Sequence, residues 1–156
     1  MLTTVETLIN RTDGRYATDH ELQFFQAYLS TAPLRFRAYQ KIQAAEVSIM
    51  NQLLKELKTY HPDIFWVNNQ DLTAKWQRDT VRVLRYAATA LLVDDPEAFR
   101  QKMLIWFQTI MKAFGAQKSC QVTFTTLQQV VKQHLTPEEA QLMLPLVELS
   151  RATLGG

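Results

Sequence analysis

The chain has little that would divide it, cross-link it or carry it across a membrane. Its single cysteine, Cys120, excludes an internal disulfide, and no Cys/His grouping has the spacing of a zinc site. Only 4 glycines and 5 prolines interrupt 156 residues, which leaves long stretches free for helix. No uncharged apolar run approaches the ~18 residues of a membrane span, so no membrane insertion is expected. The opening Met1-Leu2-Thr3-Thr4-Val5-Glu6 has no basic segment followed by an apolar one. No signal peptide is expected, and the protein reads as cytoplasmic. Charge of one sign is also missing: a net +2 is too small to argue for nucleic acid. There is no Gly-rich phosphate loop, no Gly-x-Ser-x-Gly and no His-Glu-x-x-His. Glu138-Glu139 is an acidic first turn of the kind helix polarity favours, not a pair of acid–base carboxylates. An enzyme is therefore the last class to consider, and no catalytic residue is assigned.

What is present suits one helical domain. Apolar residues make up 47% and charged residues 21%, a globular balance. Thr3 or Thr4 is placed to cap a short helix from Val5 to about Arg11, and Asp13-Gly14 signals a turn. Thr18 with Glu21 forms a capping box that starts a second helix. Leu22, Phe25, Leu29 and, beyond Pro33, Phe36 have helical spacing. Pro33 should kink or divide this helix, because it has no N–H and crowds the preceding turn. Ile42, Val47, Ile49, Met50, Leu53, Leu54 and Leu57 give the apolar face of residues 34–60, which His61-Pro62-Asp63 ends. Residues 64–70 read as a loop with Asn68-Asn69 at its tip. Asp71 caps a helix to about Leu92. Asp95-Pro96 starts another to about Phe114, with Gly115 as its C-terminal cap. Two more follow, about Thr123–His134 and Pro137–Thr153, the latter behind the capping box Thr136/Glu139. No strand, repeat or linker is expected. Seven or eight helices joined by short loops suit a globin-like all-α fold better than a four-helix bundle.

Several of these segments resemble a known family. Gly14-Arg15-Tyr16 followed by Glu21-Leu22-Gln23 looks like the N-terminal helix turn of phycobiliprotein subunits, the light-harvesting globins of cyanobacteria. Residues 21–62 can be laid on such subunits without a gap. Lys75-Trp76-Gln77-Arg78-Asp79 resembles their chromophore motif, a basic residue followed by Cys-x-Arg-Asp, and Leu84-Arg85 follows at the family's spacing. Residues 123–154 fit the family's last helices. The resemblance implies one phycobiliprotein-like globin domain over residues 1–156, with an N-terminal helical hairpin at 1–30 and a globin body at 31–156.

One departure changes what the resemblance implies. Trp76 stands where the family's bilin-bearing cysteine belongs, and an indole cannot add to the bilin to form a thioether. Cys120 is expected in a loop before the penultimate helix, far from the motif in sequence, so no covalent bilin and no bound cofactor is expected. In the family the arginine of the motif pairs with a bilin propionate and the aspartate accepts from pyrrole nitrogens. Arg78 and Asp79 either keep those roles or serve the fold or a partner. Lys75, Arg78, Arg82 and Arg85 share one helix face. They would receive two propionates of a free bilin or haem, or present a solvated face to an acidic partner. Trp76 forms an apolar set with Leu72, Leu84 and Trp106, and either fills the space of a tetrapyrrole or stacks on one. His20, His61 and His134 all fall near helix ends, away from the two central helices where a globin would place its haem ligands.

The leading expectation is a non-pigmented phycobiliprotein-like globin acting by protein–protein contact. It resembles most the bilin biosynthesis-associated globins, which are linked with regulating tetrapyrrole or bilin production. The alternatives are a noncovalent tetrapyrrole carrier or sensor, and a colourless structural subunit of a phycobilisome. In the family the first two helices project and pack on a partner subunit. Val5, Leu8 and Ile9, with Leu22, Phe25 and Leu29, give them apolar edges, so a homodimer through residues 1–30 is expected. A bilin-biosynthesis enzyme or a phycobilisome subunit is the other partner class.

Overall fold

The computed structural model describes all 156 residues and is helical almost throughout. Helix α1 covers Leu2–Thr12 and α2 Asp19–Tyr60. A 3-10 turn at Pro62–Phe65 leads into a minimal antiparallel hairpin, β1 (Trp66–Val67) with β2 (Gln70–Asp71). Helix α3 covers Thr73–Val93, and α4 covers residues 96–113. Helices α5 (Gln117–His134) and α6 (Pro137–Leu154) complete the chain. The all-α expectation holds, with six helices rather than seven or eight.

The difference in number lies at Pro33, which was expected to kink or divide its helix. Helix α2 instead runs through it as one element of 42 residues. Pro33 and Leu29 both lie on the solvent face, where the Leu29 carbonyl that loses its N–H partner need not be buried unpaired. The boundary drawn at residue 30 therefore falls inside a single helix. Within α4 the ladder widens to a π turn at Arg100–Leu104 between α-helical ends at Pro96–Phe99 and Ile105–Ala113.

Local chemistry explains most helix ends. Thr18/Glu21 and Thr136/Glu139 form complete reciprocal capping boxes. Asp13 and Gly14 take positive φ after α1, at 32° and 83°. Asn68 and Asn69, at 50° and 63°, turn the hairpin, so the segment expected as a loop carries two short strands. Asp71 accepts from the Thr73 N–H at 2.8 Å and so ties the hairpin to α3. The expected N-cap role of Thr3 or Thr4 is not met: α1 begins before both, and Thr3 lies in its first turn.

The core gathers all five long helices. Ile42, Ile49, Leu53 and Leu57 of α2 meet Val83, Leu84 and Leu91 of α3, with Met103 and Leu104 of α4, Val130 and Val131 of α5, and Met143 and Val147 of α6. Val47, expected on this face, is exposed, since it falls nearly half a turn around the helix from Ile42 and Ile49. Lys41 pairs with the buried Glu139 at 2.8 Å, joining the middle of α2 to the start of α6.

Helix α1 contributes no buried residue. It is held by its first turn, where the Thr3 N–H (2.8 Å) and hydroxyl (2.9 Å) donate to the Asp95 carboxylate. Asp95 also caps α4 by accepting from the Ala98 N–H at 3.1 Å. Burial pushes the Asp95 carboxyl up, but hydrogen bonds from Thr3 and Ala98 outweigh it and hold the group below its ordinary value of 3.8. A depressed carboxyl stabilises fully above its unfolded pKa, and that stabilisation fades as pH falls through the folded value. Below about pH 3.8 the α1 amides should therefore lose hydrogen-exchange protection before those of α5 and α6. Thr3→Ala should produce the same selective loss at pH 7. Unchanged α1 protection in that variant would contradict the anchor.

Candidate functional site

The side of α3 that faces the body is built from Trp76, Thr80, Val83, Leu84, Ala87 and Ala88, all buried. Trp76, near its N-terminal end, is 9% exposed. Its ring meets Phe65 edge-on with centroids 5.2 Å apart, and its Nε1–H donates to the Thr123 hydroxyl at 2.9 Å. Thr123 is itself buried. A buried indole N–H without a partner would cost about 1–3 kcal/mol, so this bond lets the ring be placed there. Beside the indole lies a cavity of about 270 Å³. The hairpin contributes Trp66 and Val67 to its wall, α3 contributes Leu72, Lys75, Asp79 and Thr80, and α4 contributes Phe107 and Met111. Phe114 and the start of α5, including Cys120, close it.

The apolar set expected around Trp76 is corrected in one member. Leu84 is buried and Leu72 half-buried, but Trp106 is about half exposed on the outside of α4. There the Arg82 guanidinium lies over its ring at 5.6 Å. The neighbouring Phe107 takes the inward position.

Cys120 is corrected more strongly. It lies in the first turn of α5, not in a loop, and on the wall of the same cavity as Trp76. Distance in sequence had concealed closeness in space. The thiol remains unsuited to thioether formation for another reason: burial, and then the charge of Asp79, push its pKa up to about 12. The reactive thiolate is therefore scarce near neutrality.

The four basic residues share a helix but not a role. Arg85 is committed to Glu46 of α2 through two contacts, at 2.7 and 2.6 Å. The Arg85 hydrogen bond is the main reason that the Glu46 carboxyl lies below its ordinary value. The Lys75 ammonium lies 4.1 Å above the Phe114 ring, at the rim of the cavity. Arg78 is 75% exposed, and its nearest carboxylate is that of its neighbour Asp79 at 4.0 Å. Arg78, Arg82 and Arg85 edge a shallow outer depression with Gln77, Val81 and Tyr86. Asp79 is half-buried between this depression and the inner cavity, and lines both.

Of the apolar residues expected on the N-terminal arms, Ile9, Leu22, Phe25 and Leu29 are exposed, while Val5 and Leu8 are half-buried. Phe36 is exposed further along α2. His20 lies in the first turn of α2, His61 caps its end and His134 ends α5, as the sequence suggested. No three His, Cys, Asp or Glu side chains are grouped to hold a metal ion. No helix is long and apolar enough to cross a membrane.

Comparison with known proteins settles the family. The model of the phycobilisome protein family matches residues 7–154. The allophycocyanin beta chain of Anabaena variabilis is 30% identical over 116 residues, 71% of this chain and 72% of that one. The allophycocyanin beta chain of Arthrospira platensis is 28% identical over the same shares. The chain belongs to the phycobilisome protein family, within the phycobiliprotein superfamily. Its helices form the all-α, globin-like fold of that superfamily.

Trp76 should carry a large share of the stability. Trp76→Ala is expected to cost about 3–5 kcal/mol in urea unfolding, the usual range for a buried large aromatic. Trp76→Phe keeps a ring against Phe65 but leaves the Thr123 hydroxyl unpaired, and should cost less, about 1–3 kcal/mol. A loss below about 1 kcal/mol for the alanine variant would show that the ring is not part of the packed interior.

Proposed function

We propose that this chain is a colourless phycobiliprotein-type globin that holds no covalent bilin and acts through protein–protein contact in the regulation of bilin or tetrapyrrole biosynthesis. The observation that carries this reading is the Trp76 indole, packed on Phe65 and bonded to Thr123 at the motif position. The space beside it, about 270 Å³, falls just below the ~300–1,000 Å³ of pockets that enclose drug-sized ligands. A tetrapyrrole is larger than such ligands. We assign the protein no catalytic role and a cytoplasmic location. Residues 1–30 serve as its contact arm and 31–156 as its globin body, with α2 running through both.

A second reading is favoured by one specific feature. Arg78 and Arg82 have no close carboxylate partner on another element and face an open depression, which suits the propionates of a tetrapyrrole held noncovalently on the outside. A third, a colourless structural subunit of a phycobilisome, is supported by the similarity to allophycocyanin beta chains.

Co-expression with bilin and bilin lyases separates these. The leading reading expects a colourless protein and no zinc-fluorescent band on a denaturing gel. Colour in the native protein that is lost on denaturation supports the second reading instead. A fluorescent band contradicts both, and its loss in Cys120→Ser would identify the attachment site.

The partner we favour is a second copy of the chain. Ile9, Leu22, Phe25 and Leu29 leave apolar side chains on α1 and α2 uncovered by the chain's own body. A twofold dimer is the commonest closed way to cover such a face. A bilin-biosynthesis enzyme or a phycobilisome subunit would cover it equally well. Sedimentation at micromolar concentration should show a dimer that Phe25→Asp, combined with Leu29→Asp, converts to monomer. A strict monomer from the start would contradict self-association, and a dimer that survives both substitutions would place the interface elsewhere.

A further inference from the structure

We infer that the cavity beside Trp76 is a binding site for a small bicyclic aromatic carboxylate, held with its rings inward and its carboxylate at the Lys75 rim. Size comes first. A dry cavity of about 150 Å³ accepts a single benzene ring, and this one measures about 270 Å³. Two fused rings fit that space. The larger ligand class of the family does not, because the indole of Trp76 already stands in the way. The lining comes second. Trp66, Leu72, Trp76, Phe107, Met111 and Phe114 offer aromatic faces and a thioether to a flat apolar body.

Charge then sets the ligand's polarity and its orientation. The rim carries two ammonium groups, but Lys118 is already paired with Asp63 at 2.8 Å. Lys75 has no carboxylate within 4.0 Å, and its ammonium rests over Phe114 at the mouth. It is the cation left to meet an anion. Asp79, one turn after Lys75 on the same helix, also lines the wall, where it borders the outer depression. A carboxylate beside Asp79 would be repelled, while one over Phe114 at the mouth meets Lys75. The site therefore favours a single carboxylate held at Lys75 and disfavours a second one near Asp79.

The inference rests on the reading that Trp76 fills the motif position, and it fails separately from it. A bilin band on the denaturing gel would refute that reading, whereas the following experiment tests only the cavity. Titration calorimetry of the full chain at pH 7 with 2-naphthoate should give one saturable site with Kd on the order of 100 µM, as expected for a ligand of this size. 2-Naphthol, neutral at this pH, should bind about 2–5-fold more weakly, the scale of one partly exposed ion pair. Lys75→Met should remove that difference. Asp79→Asn should tighten 2-naphthoate by about 2–5-fold, the same scale with the opposite sign. Ala116→Phe, which fills the cavity from its lip, should abolish binding while the far-ultraviolet circular dichroism stays helical. Absence of a saturable site for 2-naphthoate overturns the proposal. So does equal affinity for the acid and the phenol, or an Asp79→Asn variant that binds more weakly. Because the two charge variants are at partly exposed positions and predict opposite shifts, the test stands even if the filling variant fails to fold.

Discussion

A hydrogen bond of 2.9 Å between the Trp76 indole and the Thr123 hydroxyl sets the terms for much of this structure. An indole contributes a large apolar surface to an interior, but its N–H must find an acceptor there. Thr123 supplies one from α5, so α3 and α5 are fixed relative to each other at the motif position. Phe65 can then lie edge-on against the ring, which places the 3-10 turn, and the hairpin that follows it turns over the cavity. In this way one large side chain organises the segment between α2 and α3 as well as the packing of α3 itself.

The same placement decides what the basic residues do. With the body-facing side of α3 filled by apolar groups, the charges three and four residues apart lie on its other side. Arg85 reaches α2, Arg82 and Lys75 reach aromatic rings of α4 and its end, and Arg78 stays in solvent. Exposed pairs such as Arg85–Glu46 add little stability. Their consequence is a surface that combines cations with exposed aromatic rings, outside the packed interior. At the far end of the molecule, Asp95 serves two helices at once, capping α4 and anchoring the first turn of α1. The rest of α1 is left to present its apolar side chains outward.

The features that could be read from the sequence are those with local causes. Thr18/Glu21, Thr136/Glu139 and Asp95-Pro96 satisfy helix-end N–H groups within four residues, so spacing alone reveals them. The motif containing Trp76 was legible because its residue types match a family pattern, which the match over residues 7–154 bears out at the level of the family. Pro33 does not divide α2, because the rule it obeys is local while its outcome depends on the surroundings of the freed carbonyl. Helix α5 begins six residues earlier than expected because its start, after Ala116, has no side-chain cap to mark it. That error placed Cys120 in a loop and hid its position on the wall of the cavity. The exchange of Trp106 for Phe107 is of the same kind: adjacent aromatic residues on one helix, of which only long-range packing selects the inward one. Thr123, the partner of the indole, left no local signal, since a threonine within a helix pairs with its own backbone as readily as with a distant ring.

The central claim is that Trp76 is a fixed part of the interior, and the exchange of its indole N–H tests this directly. Trp66 and Trp106, 57% and 52% exposed, are internal references in the same molecule. In two-dimensional NMR after transfer to heavy water, with each indole assigned by Trp→Phe substitution, the Trp76 Nε1–H signal should persist long after the other two have vanished. Its exchange should approach the rate set by global unfolding. Exchange of Trp76 as fast as that of Trp66 and Trp106 would contradict the account, because the ring would then be open to solvent and the motif position unfilled.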